Sequence, residues 1–391
     1  MKKLFHFMAM LLLAVLAVEA STGLPRVSVL TCMAGKEIYE LEGHTGLRLD
    51  YGGGQDFTVN WGVFDFNSPN FVYRFVKGET DYMAAIYPTA LFLSEYAGQG
   101  RAVVEQTLNL DSATVRRLER LIEANLRPEN RVYRYNYVLD NCATRPLAII
   151  EAAVGDTITL SPSGLDPQTD GASFRRVMRR FHANYPWYQF GIDMALGSGI
   201  DRRISRREAS FAPELLLRML DGARLPSGEP LVSHTGYAVG SAATPPVPLG
   251  PTPFMLTPLF WGWAVFALAF CVSVLQWRGL GRWGRLFDTV WFSLQGLAGL
   301  LLTFLIFISV HEATSPNWLY LWLNPLCFVG AVAPWLKNGK RLEVCYQIVN
   351  FALLIVLAVA LVLGAQSVNP AFVPLIGASA LRAIANIRWH R

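Results

Sequence analysis

The sequence predicts two parts in one chain, an exported α+β domain followed by a polytopic α-helical membrane domain. The first observation is composition: the 391 residues are 52% hydrophobic and 16% charged, with a mean hydropathy of +0.31, too apolar for a soluble protein of this length. The second is where that excess lies, in residues 1–20 and from about residue 255 onward. The third is that the basic residues of the last third fall in alternate loops.

The N-terminus reads as a secretory leader. Lys2 and Lys3 precede an apolar run over residues 4–18, and Val18 and Ala20 are small residues at the positions a signal peptidase reads. Cleavage after Ala20 is expected, and residue 21 onward then lies outside the cytoplasm.

Four or five spans are expected within residues 256–391, at about 257–277, 289–310, 318–336, 346–364 and 371–387. Each is close to the ~20 residues that cross a bilayer core. The fifth is the weakest, because Arg382 and Asn386 interrupt it. Arg278, Arg282 and Arg285 lie between the first two spans, Lys337, Lys340 and Arg341 between the third and fourth, and Arg388 and Arg391 after the fifth. The other two loops have no Lys or Arg. The positive-inside rule therefore places the basic loops in the cytoplasm of a bacterium and residues 21–255 in the periplasm, so the protein is expected in the inner membrane. Trp261, Trp263, Trp277, Trp318, Trp322 and Trp335 fall near span ends, as an interfacial aromatic belt would.

Residues 21–160 read as the α+β domain. Strands are expected near 26–33, 38–41, 45–49, 57–64, 71–76, 82–86, 101–108 and 131–138. Between the last two, Asp111 or Ser112 caps a helix reaching about Leu126, with Val115, Leu118, Leu121 and Ile122 on its buried face. Residues 161–225 form a more helical extension, rich in arginine. Arg175, Arg176, Arg179 and Arg180 form either a solvated face or a surface for anionic lipid headgroups. Residues 226–255, with seven prolines, read as a linker.

The chemistry centres on Cys142. Of five cysteines, only Cys32 and Cys142 lie in the exported region. Cys142 follows a strand and precedes an apolar run closed by Gly155. That run reads as a buried helix, capped by Asn141 or by Thr144. Either way the thiol sits in the first turn, where the helix dipole and Arg145 favour thiolate, the nucleophile of acyl transfer. His44 is the candidate base. It shares a strand face with Gly46 and Arg48, and the small Gly46 leaves room for substrate. His182 reads as packing and His234 as a linker residue. The third group, orienting the imidazole, is expected from the next strand: Asn60 first, Asp65 second. Arg145, Asn141 and Arg48 are the candidates for binding substrate. The histidine precedes the cysteine by about 100 residues, the order that circular permutation of a papain-type fold produces. The expected fold is thus a circularly permuted papain-like, NlpC/P60-like domain ahead of the membrane domain. The competing reading makes Cys142 a core thiol or the disulfide partner of Cys32.

Three stretches carry a resemblance. They are residues 30–48 (Leu-Thr-Cys-Met-Ala-Gly-Lys-Glu-Ile-Tyr-Glu-Leu-Glu-Gly-His-Thr-Gly-Leu-Arg), 60–66 (Asn-Trp-Gly-Val-Phe-Asp-Phe) and 133–146 (Tyr-Arg-Tyr-Asn-Tyr-Val-Leu-Asp-Asn-Cys-Ala-Thr-Arg-Pro). Together with the layout they resemble the Lnb family of lipoprotein N-acyltransferases. The family pattern often has Ser where this chain has Ala143. The resemblance implies that Cys142 takes an acyl chain from a membrane phospholipid as a thioester and passes it to the α-amine of a lipoprotein's lipidated N-terminal cysteine. No cofactor, metal or nucleic-acid partner is expected. A papain-like cysteine hydrolase acting on peptidoglycan peptides or thioesters, and a non-catalytic envelope assembly protein, are the alternatives.

Overall fold

A computed structural model describes residues 23–65, 67–162 and 170–390; the leader expected at residues 1–20 lies outside them. In chain order the strands and α-helices are β1 (Arg26–Cys32), β2 (His44–Gly52), β3 (Gln55–Val63), α1 (Phe71–Lys77), β4 (Asp81–Pro88), α2 (Thr89–Gly98), β5 (Val103–Leu108), α3 (Ser112–Leu126), β6 (Val132–Arg134), α4 (Thr144–Val154), α5 (Phe174–Phe181) and α6 (Pro186–Ala195). They continue with α7 (Arg206–Ala209), α8 (Pro213–Leu220), β7 (Val232–Val239), α9 (Pro258–Trp277), α10 (Gly281–Phe307), α11 (Cys327–Val332), α12 (Lys340–Val362) and α13 (Phe372–Trp389). The chain divides into two units. The first holds residues up to 71, 80–177 and 203–249; the second holds 72–79, 178–202 and 250–391.

The first unit is built on a seven-stranded sheet in the order β6-β4-β3-β2-β1-β5-β7, with every pairing antiparallel. Alternation in β2 works as the period of a strand demands: Thr45, Leu47 and Leu49 are buried on one face, while His44, Arg48 and Asp50 are partly exposed on the other. Helix α3 starts as expected, with Asp111 Oδ1 accepting from the Thr114 N–H at 2.7 Å, and it buries Val115, Leu118 and Ile122. Two expected strands are absent. Residues 38–41 turn instead, with the Gly35 and Gly43 N–H groups both donating to the Glu40 carbonyl. Residues 71–76 belong to α1, whose Val72, Tyr73 and Phe75 are all more than half exposed. Their β-branched and aromatic residues mimic a strand, but an apolar helical surface is also what a lipid-facing segment needs. Inside the stretch read as a linker, β7 pairs with β5.

In the second unit α9, α10 and α12 are long and apolar enough to cross a membrane. Helix α13 is 18 residues long and carries Arg382 fully buried. Its guanidinium forms a two-pronged salt bridge to Asp288, at 2.7 and 2.8 Å, and donates to Ser273 and Gln276. A charge buried among apolar helices demands such partners. The third expected span is not a continuous helix. Asn324 Oδ1 caps the Leu326 N–H, Pro325 supplies no N–H, and Pro334 interrupts the chain again, so only short helical turns and the six-residue α11 form. Trp322, expected in an interfacial belt, is instead buried and donates to Ser379.

Candidate active site

The site lies wholly in the first unit, where β2 and β3 part. Their pairing begins at Gly46–Asn60, and beyond it β3 bulges through Trp61 and Gly62. Trp61 is fully buried and its Nε1 donates to Asn125 at 2.9 Å, which pins the bulge. Gly62 has φ +93, a left-handed conformation that favours glycine, and a Cβ there would lie 3.7 Å from the Cys142 Cβ. The contact is an ordinary one, so it is the backbone angle, not lack of space, that favours glycine here.

His44 and Asn60 are brought together. His44 Nε2 lies 2.6 Å from Asn60 Oδ1. A carbonyl oxygen only accepts, so Nε2 carries the hydrogen and Nδ1 is left as the basic nitrogen. Burial lowers the His44 pKa to about 4, against the Asn60 hydrogen bond that raises it, and the Arg101 charge lowers it further.

Cys142 is buried, with a free thiol. The Asn141 Oδ1 accepts from the Ala143 and Thr144 N–H groups at 2.9 and 3.0 Å, and its carbonyl takes the Arg145 N–H. Asn141 therefore closes the turn that leads into α4, and Cys142 lies in that turn, two residues before the helix begins at Thr144. The Asn141 Nδ2 is spent on the Tyr137 and Phe211 carbonyls, so this side chain shapes the turn. Burial pushes the Cys142 thiol up to about 11; hydrogen bonds from the Thr45 N–H, its own N–H and the Tyr135 hydroxyl oppose the shift, and the nearby Glu42 adds to it. Desolvation outweighs the helix N-terminus here, and both groups are neutral at pH 7.

The other expected site residues are engaged elsewhere. Arg145 grips Asp140 with Nε and Nη2 at 2.6 and 2.7 Å and stacks 3.4 Å from the centre of the Tyr133 ring. Arg48 donates to Asp56 and Glu105, tying β2 to its neighbour and across β1 to β5. The room expected over Gly46 is filled: a Cβ there would meet Thr58 at 2.9 Å and the Phe92 ring at 3.3 Å. Asp65 turns back on Asn67. His234 lies on β7, opposite Thr107 of β5.

Four residues escaped the sequence reading. Gly62 had a signal, a glycine inside a strand pattern. Tyr135 lies in the quoted Tyr-Arg-Tyr-Asn-Tyr run but was assigned no role. Glu42 and Arg101 are buried acid and base whose charges bear on Cys142 and His44. Nothing local in the sequence links residue 101 to residue 44.

Two family models match the chain: the Lnb N-terminal periplasmic domain over residues 20–175 and the Lnb transmembrane domain over residues 251–391. Neither curated proteins nor solved structures give a match.

Proposed function

The chain belongs to the Lnb family, and from that premise we propose that it is a thiol-dependent lipoprotein N-acyltransferase of the bacterial inner membrane. The observation that carries the proposal is the hydrogen-bonded His44–Asn60 pair, together with Cys142 in the Asn141-closed turn that leads into α4. A strand-borne histidine that precedes a helix-borne cysteine supports a circularly permuted papain-like reading of the domain.

In the first half-reaction His44 Nδ1 takes the Cys142 proton as sulfur attacks a phospholipid ester carbonyl. The tetrahedral adduct collapses, the lysophospholipid alcohol leaves with that proton, and an acyl thioester remains on Cys142. In the second, the α-amine of a lipoprotein's lipidated cysteine attacks the thioester. His44 accepts the amine proton and returns it to the departing sulfur, so an amide forms and the thiol is regenerated. Asn60 keeps the imidazole in the tautomer both steps require. A thiol of raised pKa is a poor resting nucleophile, so the proton moves as attack proceeds. Both substrates are bilayer-anchored, and a tethered enzyme meets them at high effective concentration.

The test is mass spectrometry of lipoprotein N-termini from cells carrying the wild type or Cys142→Ala. N-acylated peptides with the first and free amines with the second are expected. N-acylation that persists with Cys142→Ala would refute the assignment. Unchanged N-termini together with altered peptidoglycan peptides would favour a hydrolase of the same fold.

A further inference from the structure

Helix α1 is an insertion in the periplasmic domain. It lies between β3, the strand that bears Asn60, and β4. Residues 72–79 nevertheless belong to the second unit, with residues 250–391. Within that unit α1 is held by the end of α10. The last carbonyls of a helix need partners from outside it. Those of α1 find them just past Phe307. The Val310 N–H donates to the Lys77 carbonyl at 2.9 Å, the Ser309 hydroxyl to the Val76 carbonyl at 3.0 Å and His311 Nε2 to the Phe75 carbonyl at 2.9 Å. The Tyr73 ring meets the Phe304 ring edge-on, with 6.0 Å between centres.

That anchorage sets the depth of α1. The periplasmic domain precedes α9, so α9 runs inward and α10 returns. Arg282 and Arg285 mark the inner end of α10. About 20 helical residues cross the hydrocarbon core, which brings its outer boundary close to Phe307. Helix α1 therefore lies beside the last turn of a span, where hydrocarbon gives way to headgroups.

The surface at that level is apolar. Val72, Tyr73 and Phe75 of α1, and Phe307, Ile308 and Val310 of the segment that holds it, are each more than half exposed. Single apolar residues are ordinary on a protein surface, but six on two joined segments form a patch. The charges of α1 are engaged locally: Lys77 pairs with Glu79 at 2.7 Å, and Arg74 Nη2 donates to the Glu79 carbonyl at 2.9 Å. A short helix with partnered end carbonyls, a local ion pair and an apolar flank meets the conditions for entering the edge of a bilayer.

We propose that α1 dips into the periplasmic leaflet of the bilayer, with Val72, Tyr73 and Phe75 among the upper segments of the lipid acyl chains. The periplasmic domain thus contributes a lipid-contacting element of its own, from the loop that follows the Asn60 strand. The inference stands apart from the assignment of Cys142 as nucleophile.

The test uses the full-length protein in bilayer nanodiscs of phosphatidylethanolamine and phosphatidylglycerol. A diazirine amino acid replaces Val72 by stop-codon suppression; a second variant carries it in place of Phe75 and decides if the first does not fold. After irradiation, mass spectrometry reads the adducts on the labelled peptide. Leu300, half exposed on α10, gives the yield inside a span, and the equally exposed Tyr237 on β7 gives the yield on the periplasmic sheet. Lipid adducts at position 72 should exceed those at position 237 about tenfold or more, the partition that burial of one such side chain supplies. They should approach the yield at position 300. Lipid adducts no more frequent than at position 237 would overturn the proposal. So would a crosslink from α1 to a second copy of the chain in place of lipid, which would mark an interface between copies.

Discussion

Two buried polar clusters, one in each unit, obey opposite rules. In the membrane unit Arg382 and Asp288 are both fully buried in one salt bridge, and Ser273, Gln276 and Asn386 add further hydrogen bonds. In the periplasmic unit Cys142 and His44 are each held in the form without charge, by burial that a few hydrogen bonds do not offset. The first cluster satisfies ions at rest, as a structural network must. In the proposed mechanism the second supplies two groups that would exchange one proton, with charge developing only when a substrate arrives. If stability and chemistry belong to different clusters, substitutions should separate them.

The largest effect is expected at the thiol. Cys142→Ala and His44→Ala should each reduce N-acylation in cells to background while the full-length protein still folds and inserts, read by lipoprotein mass spectrometry and by thermal unfolding in detergent. Turnover close to wild type in His44→Ala would require another base, and His234 would be tested next.

The opposite pattern is expected in the membrane cluster. Arg382→Met strands Asp288 and should cost about 3–5 kcal/mol of stability. The double variant Arg382→Met/Asp288→Leu should recover most of that loss and keep activity. If the double variant stays as unstable as the single one, the pair is not the source of the stability.

Asn60→Ala should lower turnover by about 10²-fold, less than loss of the base, because an orienting group is not consumed. Asn60→Asp should restore part of it, since a carboxylate also accepts from Nε2.

The remaining test is of pH and leaves every residue in place. A thiol raised to about 11 is protonated at neutral pH, so the thiolate fraction climbs about tenfold per pH unit. Alkylation of Cys142 by iodoacetamide should therefore keep accelerating up to about pH 11. His44, lowered to about 4, stays neutral throughout. A rate that is flat from pH 5 to 8 would show a standing thiolate–imidazolium pair and erase the contrast between the clusters.

The His44–Asn60 contact and the place of Cys142 ahead of α4 were legible because each has local grammar: an Asn-capped turn before an apolar helix, a Gly-flanked histidine entering a strand, and a polar residue on the next strand. Contacts between distant residues were not legible, since Asn141 Nδ2 donates to the Phe211 carbonyl across 70 residues of chain. Arg145 and Arg48 look like free cations in sequence, yet Asp140, Asp56 and Glu105 claim them. The expected thiolate failed on magnitude, because desolvation exceeds what one helix end returns. The spans were read from length and hydropathy, and the break at Asn324–Pro325 was present in the sequence as a proline.

Strand β7 has a consequence for how the protein is made. The sheet's last strand, Val232–Val239, comes from a segment fewer than 20 residues before the first span begins at Pro258. During export the edge of β5 stays bare until that segment has crossed the membrane. The periplasmic sheet therefore completes late in translocation, as the first span is about to enter the bilayer. A secreted fragment ending near residue 225 would carry an open β5 edge and a tendency to self-associate.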